Sequence, residues 1–143
     1  MLVSQNTIPA VTSTAGILAA QSGVDAELVN FPGEWVITAI ATAGTPSAVK
    51  AAGIAGVRHI CTGISVKLGA AATAQPAIQV NLLDGATILA SWVLAAPVNS
   101  GDQVSLPGLN IPGSAATSMT LQFASACAAA VIAAVNLIGY DAQ

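Results

Sequence analysis

His59 is the one histidine in this sequence, so any acid–base or metal chemistry starts from it. Cys61 stands two residues on, and residues at i and i+2 of a strand share a face. A thiol nucleophile and its base could be arranged that way, but no third orienting group or set of oxyanion donors accompanies them. A metal site needs three or four ligands, and this pair supplies two. His59 is therefore expected at the surface or in an interface. The carboxylates are explained locally. Asp84 opens an Asp-Gly turn, Asp102 sits in a loop, Glu34 follows Pro32-Gly33, and Asp25 and Glu27 lie in a possible helical turn. No two of them fall on one strand face as a general acid and base would. Gly53-Ile54-Ala55-Gly56 is too short for a phosphate loop and lacks its Lys-Ser/Thr. Trp35, Trp92 and Tyr140 offer a stacking platform on paper, although a core or an interface is their commoner place. No enzyme activity, cofactor or metal is expected.

The elements that position these residues read as β from residue 34 on. Short β-branched runs alternate with turn signals, the grammar of a sandwich or barrel. Trp35 to Ile40 is the first run, and a weak second covers Ser47 to Ala52. In Arg58 to Leu68 the even positions Ile60, Thr62, Ile64, Val66 and Leu68 face one way. His59, Cys61, Gly63, Ser65 and Lys67 face the other. Ala77 to Leu83 places Ile78, Val80 and Leu82 inward. Asp84-Gly85 then predicts a hairpin into Thr87 to Leu94, with Ile88, Ala90, Trp92 and Leu94 on one face. Gln103 to Leu106 is a short strand. The two Pro-Gly pairs of Leu106 to Gly113 cannot sit inside a sheet, and they predict a corner between sheets. Ser118 to Ala124 turns Met119, Leu121 and Phe123 inward. Val131 to Tyr140 reads as a strand in spite of its alanines, because Val131, Val135 and Leu137 share a parity. The fold class is all-β: a β-sandwich or jelly-roll-like domain of about eight strands over 34–143. Residues 1–33, ending in Phe31-Pro32-Gly33, read as an N-terminal arm or clasp, or as the first strand of the domain.

Composition then limits the partners. The 143 residues are 55% hydrophobic and 6% charged, with formal net charge −3; an ordinary domain carries about 25% charged residues. Three basic residues cannot neutralise a row of phosphates or hold an anionic membrane, so neither nucleic acid nor membrane surface is expected as a partner. The mean hydropathy of +0.77 raises a membrane span. Phe123 to Tyr140 is long enough for one, but it is alanine-rich, interrupted by Ser125 and Asn136, and has no Lys or Arg flank. With no Lys or Arg before Lys50, a secretory signal is not expected. Two cysteines do not make a disulfide scaffold, and buried free thiols are expected. With one strand face buried, the other must be covered by 35 Ser, Thr, Asn and Gln residues plus Ala and Gly. Such a surface is poorly defended against sheet pairing and self-association. It is expected to be covered in use, by copies of the chain or by a partner. The interface residues expected on these grounds are Ile8, Ile17, Leu18 and Phe31 in the arm and Trp35, Arg58, His59 and Tyr140 in the domain.

Arg58-His59-Ile60-Cys61-Thr62-Gly63-Ile64-Ser65 resembles the "RHVCTSIS" stretch of a set of small proteins of tailed bacteriophages and prophages. Val80 to Ala86 resembles their "VNLRDGA", Leu89-Ala90-Ser91-Trp92 their "L-x-S-W", Leu106 to Thr120 their "LSGLNIVGSANTAMT", and Asn136 to Ala142 their "SLSGYDA". The similarity covers roughly residues 47–142 and rests on the order of the motifs. Leu83 stands where those proteins usually have Arg, and Cys127 to Ala134 replaces a more polar stretch. The resemblance implies a structural virion protein: a capsid decoration or cement protein, a β-sandwich that docks as a homotrimer on the head lattice. Its partners would be itself and a major capsid or other virion protein. Its location would be the capsid surface, after assembly in the host cytoplasm. A tail or head-fibre component is the alternative within the virion, and a small carbohydrate-binding sandwich module the alternative outside it.

Overall fold

The computed structural model describes residues 33–143, so the expected arm and its Ile8, Ile17, Leu18 and Phe31 lie outside the described residues. The domain consists of eight strands: β1 (Glu34–Thr42), β2 (Ser47–Lys50), β3 (Arg58–Leu68), β4 (Gln75–Asp84), β5 (Thr87–Ala96), β6 (Asp102–Pro112), β7 (Met119–Phe123) and β8 (Ile132–Ala142). They form two four-stranded antiparallel sheets, ordered β1-β8-β3-β6 and β2-β7-β4-β5. Apart from the β4–β5 hairpin, consecutive strands alternate between the two sheets, as in a jelly roll. The core is the shared inner layer. Ile64, Val66 and Leu68 of β3 and Val135 and Leu137 of β8 meet Val80 and Leu82 of β4 and Met119 and Leu121 of β7. Period-two alternation builds it, and the strand burial patterns repeat that period. The Asp84-Gly85 hairpin forms as the sequence predicts. Asp84 pairs with Thr87 across Gly85-Ala86, and Gly85 takes φ +59°, a conformation easy for glycine. Asp84 also accepts the Ser114 N–H at 3.0 Å through Oδ2, so its role extends beyond the turn.

Several expectations are corrected. β3 does not keep one parity. Thr62 has no partner on either side, and the register shifts between Cys61 and Gly63. The extra residue turns His59 and Cys61 inward before the bulge and Ile64, Val66 and Leu68 inward after it, a known effect of β-bulges. Ile88 is 51% exposed, because a second shift at Leu82/Leu83 breaks the expected face of β5. Leu106 to Gly113 is not a corner. β6 runs to Pro112 as an edge strand, where a missing N–H is tolerated, and its ladder is interrupted where β3 passes from Cys61, opposite Ile111, to Gly63, opposite Pro107. β8 is a strand, as expected, and lies in mid-sheet between β1 and β3. Among the described residues no helix is long and apolar enough to cross a membrane. Cys61 and Cys127 are free and buried.

Candidate functional site

The bulge in β3 places His59 beneath the end of the sandwich, 1% exposed. Asp141 of β8 is its register partner, and Asp141 Oδ1 lies 2.7 Å from His59 Nδ1. Trp35 of β1 donates its indole N–H to the same oxygen at 2.7 Å. Lys50, the last residue of β2 in the opposite sheet, approaches Asp141 Oδ2 at 3.5 Å. Its Nζ also stands 5.3 Å from the centre of the Trp35 ring, within cation–π range. The Trp35 and His59 rings meet edge to face at 5.8 Å. Gly139 permits this: it pairs with Trp35, and a Cβ there would lie 2.5 Å from Trp35 Cη2. Burial disfavours the charged carboxylate of Asp141, but the hydrogen bonds from His59 and Trp35 and the charges of Lys50 and His59 outweigh it. Its pKa is lowered from the ordinary 3.8.

This group has the composition of a catalytic dyad and the geometry of a staple. His59 Nε2 faces the Ala51 carbonyl at 2.8 Å. A carbonyl only accepts, so Nε2 carries the proton of that contact. Both ring nitrogens are thus engaged inside the protein, which leaves the ring no free position from which to take a substrate proton. The Cys61 thiol points elsewhere, toward the Gly63 carbonyl at 3.6 Å. Burial raises its pKa, opposed only by that contact, which is the reverse of an activated thiol. Among the described residues no three His, Cys, Asp or Glu side chains stand together as a metal site would require. What the cluster does is bind β1, β3 and β8 of one sheet to the end of β2 in the other.

The outer faces carry little charge. On the β1-β8-β3 face, cross-strand rows run Val36–Ile138, Thr38–Asn136–Ser65 and Ile40–Ala134–Lys67. Thr38 donates to Asn136 Oδ1 at 2.7 Å. Val36 and Ile40 are 61% and 67% exposed, and Ile132 adds a third exposed aliphatic to the same face. The outer face of the second sheet is a hydrogen-bonded network. Ser91 donates to Asn81 Oδ1 at 2.7 Å, Gln79 donates to Asn81 and Ser91, and Ser47 donates to Gln122. Val49 and Val93 are exposed beside it. These donors and acceptors are partly satisfied by one another, so covering the face would desolvate no ion.

Of the expected interface residues, Trp35 and His59 come together, but inside the protein. His59, expected at the surface or in an interface, is 1% exposed within the chain, and Trp35 is half-buried over Gly139. Arg58 is exposed and Tyr140 half-buried on the outer side of β8. Trp35 and Trp92 pack against the core, so the aromatics form no open platform. Sequence reasoning missed Asp141 and Lys50. They are 82 and 9 residues from His59 in the chain; the pairing of β3 with β8 brings Asp141 to it, and the packing of the two sheets brings Lys50. The chain matches no model of a known protein family and none of the curated proteins.

Proposed function

We propose that this chain is a structural assembly protein that acts through its outer faces, and that it decorates a bacteriophage head as a homotrimer. The observation that carries the reading is the neutral, small-residue exterior, with Val36, Ile40 and Ile132 open on one sheet face. Covering such a face gains about 25 cal/mol per Å² of apolar surface with little charge to desolvate. The phage assignment rests on the ordered motifs from Arg58 to Ala142 and goes further than the surface argument. Jelly rolls recur in viral capsid and lectin domains, an analogy of fold alone. A decoration protein stabilises its shell by binding the assembled lattice better than free subunits, and three copies engaging together add avidity. The test is the mass of the purified protein by light scattering, with co-sedimentation on intact particles. A mass that is a multiple of three chains and a fixed stoichiometry on particles support the proposal. A 14.0 kDa monomer that never sediments with particles refutes it. Labelling in electron micrographs separates a head from a tail or fibre position.

A further inference from the structure

A sandwich of two open sheets has four edge strands, here β1 and β6 on one sheet and β2 and β5 on the other. Edges expose unpaired backbone groups, and natural proteins protect them with prolines, charges, short strands, irregularities or a covering group. Three of these four are protected. β6 carries Pro107 and Pro112 and a break in its register. β2 has four residues and ends in Lys50. β5 has two register shifts, and the Asp102 carboxylate accepts its Ala95 N–H at 2.9 Å. Among the described residues β1 has none of these devices. Its nine residues pair with β8 without a shift, it contains no proline, and Glu34 is its one charge. Among the described residues, no backbone hydrogen bond is made by its far edge.

We propose that the outer edge of β1, unpaired among the described residues, pairs antiparallel with β1 of a second copy, about a two-fold axis beside Thr38. The strand reads Glu34-Trp-Val-Ile-Thr38-Ala-Ile-Ala-Thr42, and its pattern is nearly symmetric about Thr38. Pairing centred there engages all nine residues, with about nine backbone hydrogen bonds. Exposed Val36 then lies beside the partner's Ile40, and exposed Ile40 beside the partner's Val36. Thr38 meets the partner's Thr38, a favourable cross-strand pair. Glu34 falls beside the partner's Thr42, so the two carboxylates stand at opposite ends. A parallel arrangement would instead set Glu34 against the partner's Glu34. The antiparallel axis makes the two β1-β8-β3-β6 sheets one eight-stranded sheet, and the Val36 and Ile40 rows become one aliphatic patch. The contact is isologous and closes on itself. It builds no trimer, so a three-fold assembly uses another surface and the two proposals fail separately.

The pairing sets one residue against itself, which the full-length chain can report. Wild type is expected at an even multiple of the chain mass by light scattering. Thr38→Lys and Thr38→Asp each place like charges together at the axis and are expected to halve that mass, with circular dichroism unchanged. Mixing the two variants is expected to restore the original mass with one chain of each kind, and Thr38→Ser is expected to keep it throughout. Independently, Thr38→Cys is expected to form a covalent dimer on mild oxidation. Val36→Cys alone is not, because the two positions stand about 14 Å apart, four residues of strand. A wild-type chain that stays single across the concentration range overturns the proposal. So does an assembly whose mass Thr38→Lys leaves unchanged, or one that cross-links through Val36→Cys and not Thr38→Cys.

Discussion

Replacing Asp141 with alanine removes the common acceptor of the staple, and the structure allows its cost to be worked out. His59 Nδ1 loses its 2.7 Å partner while the ring stays 1% exposed. A buried polar group left unpaired costs about 1–3 kcal/mol, and full burial places this one near the top. Trp35 Nε1 loses a 2.7 Å bond at a half-buried position, worth about 1 kcal/mol on the same scale. The Lys50 contact is long and both side chains are partly exposed, so it adds about 0–1 kcal/mol. The expected loss is therefore about 4–5 kcal/mol, a large share of the roughly 5–15 kcal/mol that holds a domain folded. Asp141→Asn keeps an oxygen at the same place but not the charge. Charge-assisted hydrogen bonds are about twice as strong as neutral ones, so about half of that loss is expected.

Urea unfolding followed by circular dichroism measures both variants against wild type, and pH separates the charge from the shape. The native Asp141 carboxyl titrates below its ordinary 3.8, so on acidification the unfolded chain takes up this proton first. The stabilisation is complete above the unfolded value and is lost as pH falls through the native one. The gap between wild type and Asp141→Asn is thus expected to be constant just above pH 4 and to close below it. An Asp141→Ala protein within about 0.5 kcal/mol of wild type would refute the staple. A gap that widened in acid would refute its electrostatic basis.

Gly139→Ala would drive a Cβ into the Ile60 carbonyl oxygen and put it 2.5 Å from Trp35. The oxygen belongs to a paired strand and cannot retreat, so a loss of about 3 kcal/mol or more is expected in the same unfolding assay. Cys61 and Cys127 are buried, and burial raises both thiol pKa values. Neither is expected to react with a thiol-specific reagent in the native protein, and both should react at once in denaturant, as read by mass spectrometry.

The strands were legible because alternation is a local signal. β4, with Ile78, Val80 and Leu82 inward, and β7, with Met119, Leu121 and Phe123 inward, follow the sequence pattern directly. β8 was legible through Val131, Val135 and Leu137 although alanine favours helix. The staple was not legible. An unpaired Thr62 reverses the side on which His59 projects, and nothing in Arg58 to Leu68 marks a bulge when read as a string. The Gly63 that follows it has its would-be Cβ 3.3 Å from the Leu106 carbonyl, a contact that exists only once β6 is in place. Likewise Asp141 reads as the residue that closes a strand. Its partnership with Trp35, 106 residues earlier, comes from β1 and β8 being neighbours in the sheet.

The use made of the few charges sharpens the argument from composition. Of the seven charged residues between Glu34 and Asp141, four are engaged internally. Lys50 and Asp141 belong to the staple, Asp84 accepts from Ser114, and Asp102 accepts from Ala95 and Gln103. Glu34, Arg58 and Lys67 remain for the whole exterior of the sandwich. A surface this neutral has little charge repulsion to keep copies apart, while the edge devices on β2, β5 and β6 restrict where sheet pairing can occur. Together they favour one ordered contact over indiscriminate pairing. If instead neutrality alone governed association, removing the protection of β5 by Asp102→Asn would leave the oligomeric state as it is. If edge protection governs it, a new, larger species is expected, because Ala95 is then less firmly capped.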